Sequence, residues 1–95
     1  MIATISSYYV RPEQLKEMEM DMEGHNADLL STDGCVSLVN LRSQSDPLKF
    51  TRLTCWESKE KFMAHFYGAE HVKSQAVVDK FWSKPPEVEF YDVLP

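Results

Sequence analysis

Apolar and polar residues along this chain fall into blocks of two periods, and their order predicts an architecture. Residues 2–10 (Ile-Ala-Thr-Ile-Ser-Ser-Tyr-Tyr-Val) are rich in β-branched and aromatic types and read as a strand. Arg11-Pro12 ends it, because the residue before a proline is pushed out of the helical region and proline suits a first helical turn. From Pro12 to about Ser31 the stripe Leu15, Met18, Met22, His25, Leu29 advances in steps of three and four, which is one face of a helix. Asp33-Gly34 supplies the stop. Residues 35–42 read as a second strand, residues 43–48 with Asp46-Pro47 as a polar turn, and residues 49–57 as a third strand. Ser58 is a good N-cap, and Glu60 sits in the first turn, where the helix dipole favours negative charge. Phe62 and Phe66 share one face of that helix, Gly68 predicts a bend or break, and a further helical stretch runs from Ala69 to about Trp82. Pro85-Pro86 forbids its continuation, and residues 87–94 close the chain as a fourth strand. The order βαββαβ is the split unit of a ferredoxin-like α+β fold with a four-stranded antiparallel sheet, one domain over residues 1–95.

Two helices cover only one face of such a sheet, and a face left to water makes strands alternate between apolar and polar. These strands do not. The first offers Ile2 and Tyr8 on one side against Ala3, Ile5 and Tyr9 on the other. The second offers Cys35, Val39 and Leu41 against Val36 and Leu38; the third offers Phe50 and Trp56 against Leu53 and Cys55. The expectation is that both faces are covered, the second by another copy of the chain in a face-to-face homodimer.

At 95 residues the chain has room for one small core, and its 43% hydrophobic and 26% charged residues are those of an ordinary globular domain. No apolar run exceeds three residues, so no membrane span is expected. The start of the chain lacks the pattern of a signal peptide, and the expected location is the cytoplasm. The net charge of −5 is concentrated in residues 1–47, which carry eight acids and three bases. An acidic surface repels phosphate, which argues against nucleic acid and anionic membrane as partners.

No His-x-x-x-His or Cys-x-x-Cys spacing occurs, and His65 and His71 lie six apart, about 240° around a continuous helix, so no metal is expected. The pair would share a face only if Gly68 re-aims one of them. Cys35 and Cys55 lie inside strands among apolar neighbours and read as free, inert thiols. RNA-recognition modules share the βαββαβ order, yet the third strand here lacks their glycines and basic character. What remains is one corner of the fold. Arg52 and Trp56 share a strand face, and Phe62, His65, Phe66 and His71 follow on the next helical region. One cation, two imidazoles and large rings are the make-up of a small-molecule pocket. The same rings would also serve as plain packing between sheet and helix.

The run from Phe50 through Trp56-Glu57-Ser58, Phe62, Ala64-His65 and His71-Val72 resembles the antibiotic biosynthesis monooxygenase domain family, and Asp33-Gly34-Cys35 resembles its Pro-Gly-Cys turn into the second strand. The resemblance spans nearly the whole chain and implies a ferredoxin-like domain paired as a dimeric α/β barrel. The family is functionally mixed. Some members oxygenate quinols or anthrones without metal or flavin, and others degrade haem. Trp56 matches the pocket Trp of both groups, while Arg52 stands where anthrone oxygenases resemble one another in having Asn. The resemblance implies a cofactor-free monooxygenase acting on a small aromatic or quinol. His65 or His71 would be the base, Arg52 the stabiliser of an enolate, and Trp56, Phe62 and Phe66 the substrate-enclosing rings. The alternatives are a haem- or small-ligand-binding dimer and a non-catalytic dimerisation module of the same fold.

Overall fold

A computed structural model describes residues 1–95 in full. Strand β1 (Ile2–Tyr9) leads through a 3-10 turn at Pro12–Gln14 into helix α1 (Leu15–Leu30). Strands β2 (Cys35–Arg42) and β3 (Lys49–Trp56) form a hairpin. Helices α2 (Lys59–Phe66) and α3 (Ala69–Val78) follow, then a 3-10 turn at Asp79–Phe81 and strand β4 (Glu87–Asp92). The sheet is antiparallel throughout, in the order β2-β3-β1-β4, with all three helices on one side of it; this is the α+β ferredoxin-like fold. No helix is long and apolar enough to cross a membrane.

Three local details differ from the sequence expectation, each with a physical cause. The first helix opens as a 3-10 turn, because Pro12 has no N–H to give and Leu15 N–H bonds the Pro12 carbonyl three residues back. The last helix ends at Val78 and tightens into a 3-10 turn, so residues 69–82 are not one helix. In β2 a bulge lies between Cys35 and Ser37. Cys35 stands opposite Trp56, on the helix-side register, while Val39 and Leu41 stand opposite Leu53 and Thr51.

The Asp33-Gly34 stop works as a left-handed turn, with Gly34 at φ 89°. Its carbonyl takes the Glu57 N–H at 2.8 Å, and a Cβ there would lie 2.6 Å from Lys61 Cβ, so the turn packs directly on the start of α2. Lys61 reaches Asp33 and Glu57 at 3.1 and 3.0 Å across the same junction. These contacts hold the end of β3 and the start of α2 together, and the helix N-terminus is closed by Ser58 Oγ, which accepts the Lys61 N–H at 3.2 Å.

The fully buried core is small and lies toward one end. Val10, Met18, Phe50 and Phe81 form it, with Leu15, Met22, Val78 and Trp82 packed around them. Val10 N–H bonds the Leu48 carbonyl and Arg11 N–H the Phe81 carbonyl, both at 2.8 Å, so the 3-10 turn that precedes β4 is tied to the chain just after β1. The opposite sheet face carries no helix. Ile5 and Leu53 pair at its centre and are half-buried, whereas Val39, Leu41 and Tyr91 are 46%, 49% and 45% exposed.

Candidate functional site

At the centre of the helix-side face, where a small domain would be expected to place aliphatic residues, the register puts polar ones. Thr4 faces Thr54, and Ser6 faces Arg52, which in turn faces Asn40. Thr4 and Thr54 share a hydroxyl–hydroxyl bond of 2.5 Å, and Trp56 Nε1 donates to Thr54 Oγ1 at 2.9 Å. Buried hydroxyls are thereby satisfied by one another and do not draw water into the sheet. Between this polar floor and the helices lies a cavity of about 520 Å³, within the range of small-molecule sites.

All six residues singled out from the sequence line that cavity: Arg52, Trp56, Phe62, His65, Phe66 and His71. Trp56 ends β3 at 1% exposure, with Phe62 edge-on to it at 5.5 Å and His65 stacked on it at 5.5 Å between ring centres. Phe66 stacks on Phe62 at 5.5 Å and meets His71 at 5.0 Å. The histidines come together because the helix does not continue. It stops at Phe66, and Gly68 starts the next one as its N-cap, with the Gly68 N–H bonded to the His65 carbonyl at 3.1 Å. A Cβ at Gly68 would lie 3.0 Å from the Ala64 carbonyl, tighter than nearly all such contacts. The break cancels the angular offset of six residues, and the two imidazoles end 4.9 Å apart.

Burial holds the pKa of His65 below its ordinary value. His71 is lowered by burial too, and further by the charges of His65, His25 and Arg52. Both are therefore uncharged near pH 7 and able to accept a proton. Arg52 donates from Nε to Asn40 Oδ1 at 3.0 Å, and Asn40 donates from Nδ2 to Asn26 Oδ1 on α1 at 2.8 Å. His25, on the inner stripe of α1, also lines the cavity and is held by Asp21 at 2.9 Å. All three histidines thus reach one cavity, though no group of three or more His, Cys, Asp or Glu is arranged to hold a metal.

Asn26 and Asn40 were not among the residues the sequence pattern marked. Their signal is faint but physical: asparagine is unfavourable in strand and helix interiors alike, and Asn40 interrupts the apolar run Leu38, Val39 and Leu41.

A model of the antibiotic biosynthesis monooxygenase family matches residues 1–77, from β1 through most of α3, which includes every cavity residue named above. The chain belongs to this family. No curated protein is similar enough to match. Solved structures of candidate family members share its fold. One from Nitrosomonas europaea has a TM-score of 0.89 at 17% identity, covering 98% of this chain and 89% of its own. One from Caulobacter crescentus has a TM-score of 0.89 at 18% identity, covering 99% and 90%. One from Bordetella bronchiseptica has a TM-score of 0.86 at 21% identity, covering 99% and 97%.

Proposed function

We propose that this member of the antibiotic biosynthesis monooxygenase family is a cofactor-independent monooxygenase acting on a small aromatic or quinol-type substrate, and that it works as a homodimer. The observation that carries this reading is the convergence of a neutral histidine pair, a guanidinium and a wall of aromatic rings on one cavity of about 520 Å³. A planar phenolic substrate fits between Trp56, Phe62 and Phe66. His65 or His71 removes the proton from its hydroxyl or its acidic CH, which the neutral imidazoles permit at neutral pH. Arg52 stabilises the resulting oxyanion in a partly desolvated site, where a fixed charge acts more strongly than in water. The electron-rich carbanion then gives one electron to dioxygen, and the radical pair combines into a hydroperoxide at carbon. Its O–O bond breaks with loss of water to leave a carbonyl. The balance for a hydroquinone is substrate plus O₂ giving hydroxyquinone plus H₂O; the four electrons come from the substrate.

The homodimer reading is supported by the uncovered sheet face, whose Ile5, Leu53, Val39, Leu41 and Tyr91 form an apolar strip with no other element to cover it. An oxygen electrode tests the catalytic reading. Naphthohydroquinone or an anthrone, with chelator present, should consume dioxygen faster than its own autoxidation, and His65→Ala and His71→Ala should each slow the reaction. With ¹⁸O₂ the product should gain a single labelled oxygen. Uptake no faster than autoxidation for either substrate would defeat the oxygenase reading, and a Soret band on adding haemin would favour haem binding in its place.

A further inference from the structure

Arg52 is the one guanidinium or ammonium lining the cavity, and it has no acidic partner: none of the ion pairs in the molecule includes it. Its only hydrogen bond within the chain runs from Nε to a neutral amide, so both Nη groups are left for whatever enters. The acids on the cavity do not neutralise it. Asp21 is engaged by His25, while Asp28 and Glu70 are exposed residues at the mouth. A half-buried guanidinium without a counter-charge is costly, and a molecule of net charge −5 has no shortage of carboxylates that could have paired it.

Asn40 and Asn26 explain how the charge is presented. An amide beside a guanidinium must offer its oxygen, since its NH₂ would oppose the Nε–H. Asn26 Oδ1 accepts from Asn40 Nδ2 and so fixes that orientation, tying the fork on β3 to helix α1 through β2. With Nε occupied, the two parallel Nη donors at the end of the fork are what remain for a molecule in the cavity. That geometry matches two oxygens of one planar acid group.

We propose that the cavity selects aromatic substrates bearing a carboxylate, that Arg52 is the specificity-determining residue, and that Asn40 and Asn26 are positioning residues for its fork. The proposal rests on the small-aromatic reading of the cavity given above and deepens it. It does not depend on turnover.

Calorimetric titration with 2-naphthoate and its neutral analogue 2-naphthalenemethanol tests it on the full chain. The acid should bind about tenfold or more tightly than the alcohol, the scale of a charge-assisted bidentate bond. Arg52→Gln should abolish that preference, with the acid's affinity falling about tenfold or more and the alcohol's changing far less. Arg52→Lys should keep only part of it, because an ammonium is a point charge without the fork. Asn40→Asp, which preserves size and leaves Arg52 in place, should abolish it by neutralising the fork. Asn26→Ala should weaken it several-fold, again with the alcohol unmoved. Equal affinities for acid and alcohol in the unmutated protein, an acid preference that survives Arg52→Gln or Asn40→Asp, or no binding of either probe would each overturn the proposal. Absence of oxygen uptake would defeat the oxygenase reading and leave this one standing, whereas turnover of neutral quinols without acid preference would do the reverse.

Discussion

Replacing Trp56 by alanine separates two descriptions of this residue that its position combines. The indole is enclosed at 1% exposure, yet it forms part of a cavity wall. A buried Trp covers about 150–250 Å², which at about 25 cal/mol/Å² gives an upper figure of roughly 4–6 kcal/mol. Denatured chains already bury some of that area, which brings the transfer loss to about 3–4 kcal/mol. A void term would normally be added, but here the deleted ring enlarges a space that opens toward solvent, so little is expected. The Thr54 hydroxyl loses the indole donor and keeps Thr4. The expected destabilisation is therefore about 3–4 kcal/mol, a fall in Tm of roughly 12–30 °C for a domain of this size. Urea unfolding at fixed protein concentration, followed by far-ultraviolet circular dichroism and the fluorescence of Trp82, measures it. Trp56→Phe should cost about half as much, because Phe62 and His65 retain a ring to pack against. A loss under about 1.5 kcal/mol for Trp56→Ala with unchanged m-value would refute the enclosed packing. A loss above about 6 kcal/mol would mean that the ring leaves a dry void and adjoins no cavity.

The histidine pair makes stability depend on pH in a definite direction. Both folded-state pKa values lie below the ordinary 6.5, so the unfolded chain binds more protons, and stability should be full above about pH 6.5 and decline as pH falls through and below it. Urea midpoints at pH 7.5 and pH 5 should differ in that sense, and the difference should shrink in the His65→Ala, His71→Ala double variant. Sedimentation equilibrium should give close to twice the 11.0 kDa chain mass, and Leu53→Glu, at the centre of the uncovered sheet face, should return the monomer. Gly34→Ala places a side chain at φ 89° and 2.6 Å from Lys61 Cβ, and thermal melts should show a loss of about 2 kcal/mol or more.

The fold was legible because its punctuation is strong. Pro12, Asp33-Gly34, Asp46-Pro47, Ser58 and Pro85-Pro86 each fall at an element boundary, and the stripe on α1 places Met18 and Met22 against the core. The bulge at Cys35–Ser37 was not legible, since nothing in Cys-Val-Ser marks an extra residue, and it moved Cys35 to the register of Trp56. The site was legible in its aromatic wall and histidines, which lie close in sequence on β3, α2 and α3. The Asn26–Asn40–Arg52 chain was not. It joins three elements, and only the pairing of β2 with β3 and the packing of α1 over them bring its amides together.

The inner sheet face shows how so short a chain accommodates a cavity. Nine of its 95 residues are fully buried, and three of those are Thr4, Ser6 and Thr54, in the middle of the face that ought to be the core. Apolar packing is displaced to the two ends of the cavity, with Val10, Met18, Phe50 and Phe81 at one and Trp56 and Phe62 at the other. A domain arranged in this way gives up aliphatic burial where it needs it most, and two things could restore it. One is a second chain over the uncovered face, where Ile5 and Leu53 already sit half-buried side by side. The other is the ligand itself, which would fill the space between the two apolar ends and add stability in proportion to the logarithm of its concentration over Kd. These contributions act on opposite faces of the same two central strands, β1 and β3. Whatever straightens or twists those strands on the outer face also moves Ser6, Arg52 and Thr54 on the inner one, because successive residues of a strand point to opposite sides. Pairing of two chains and shaping of the cavity floor are, on this reading, one structural event.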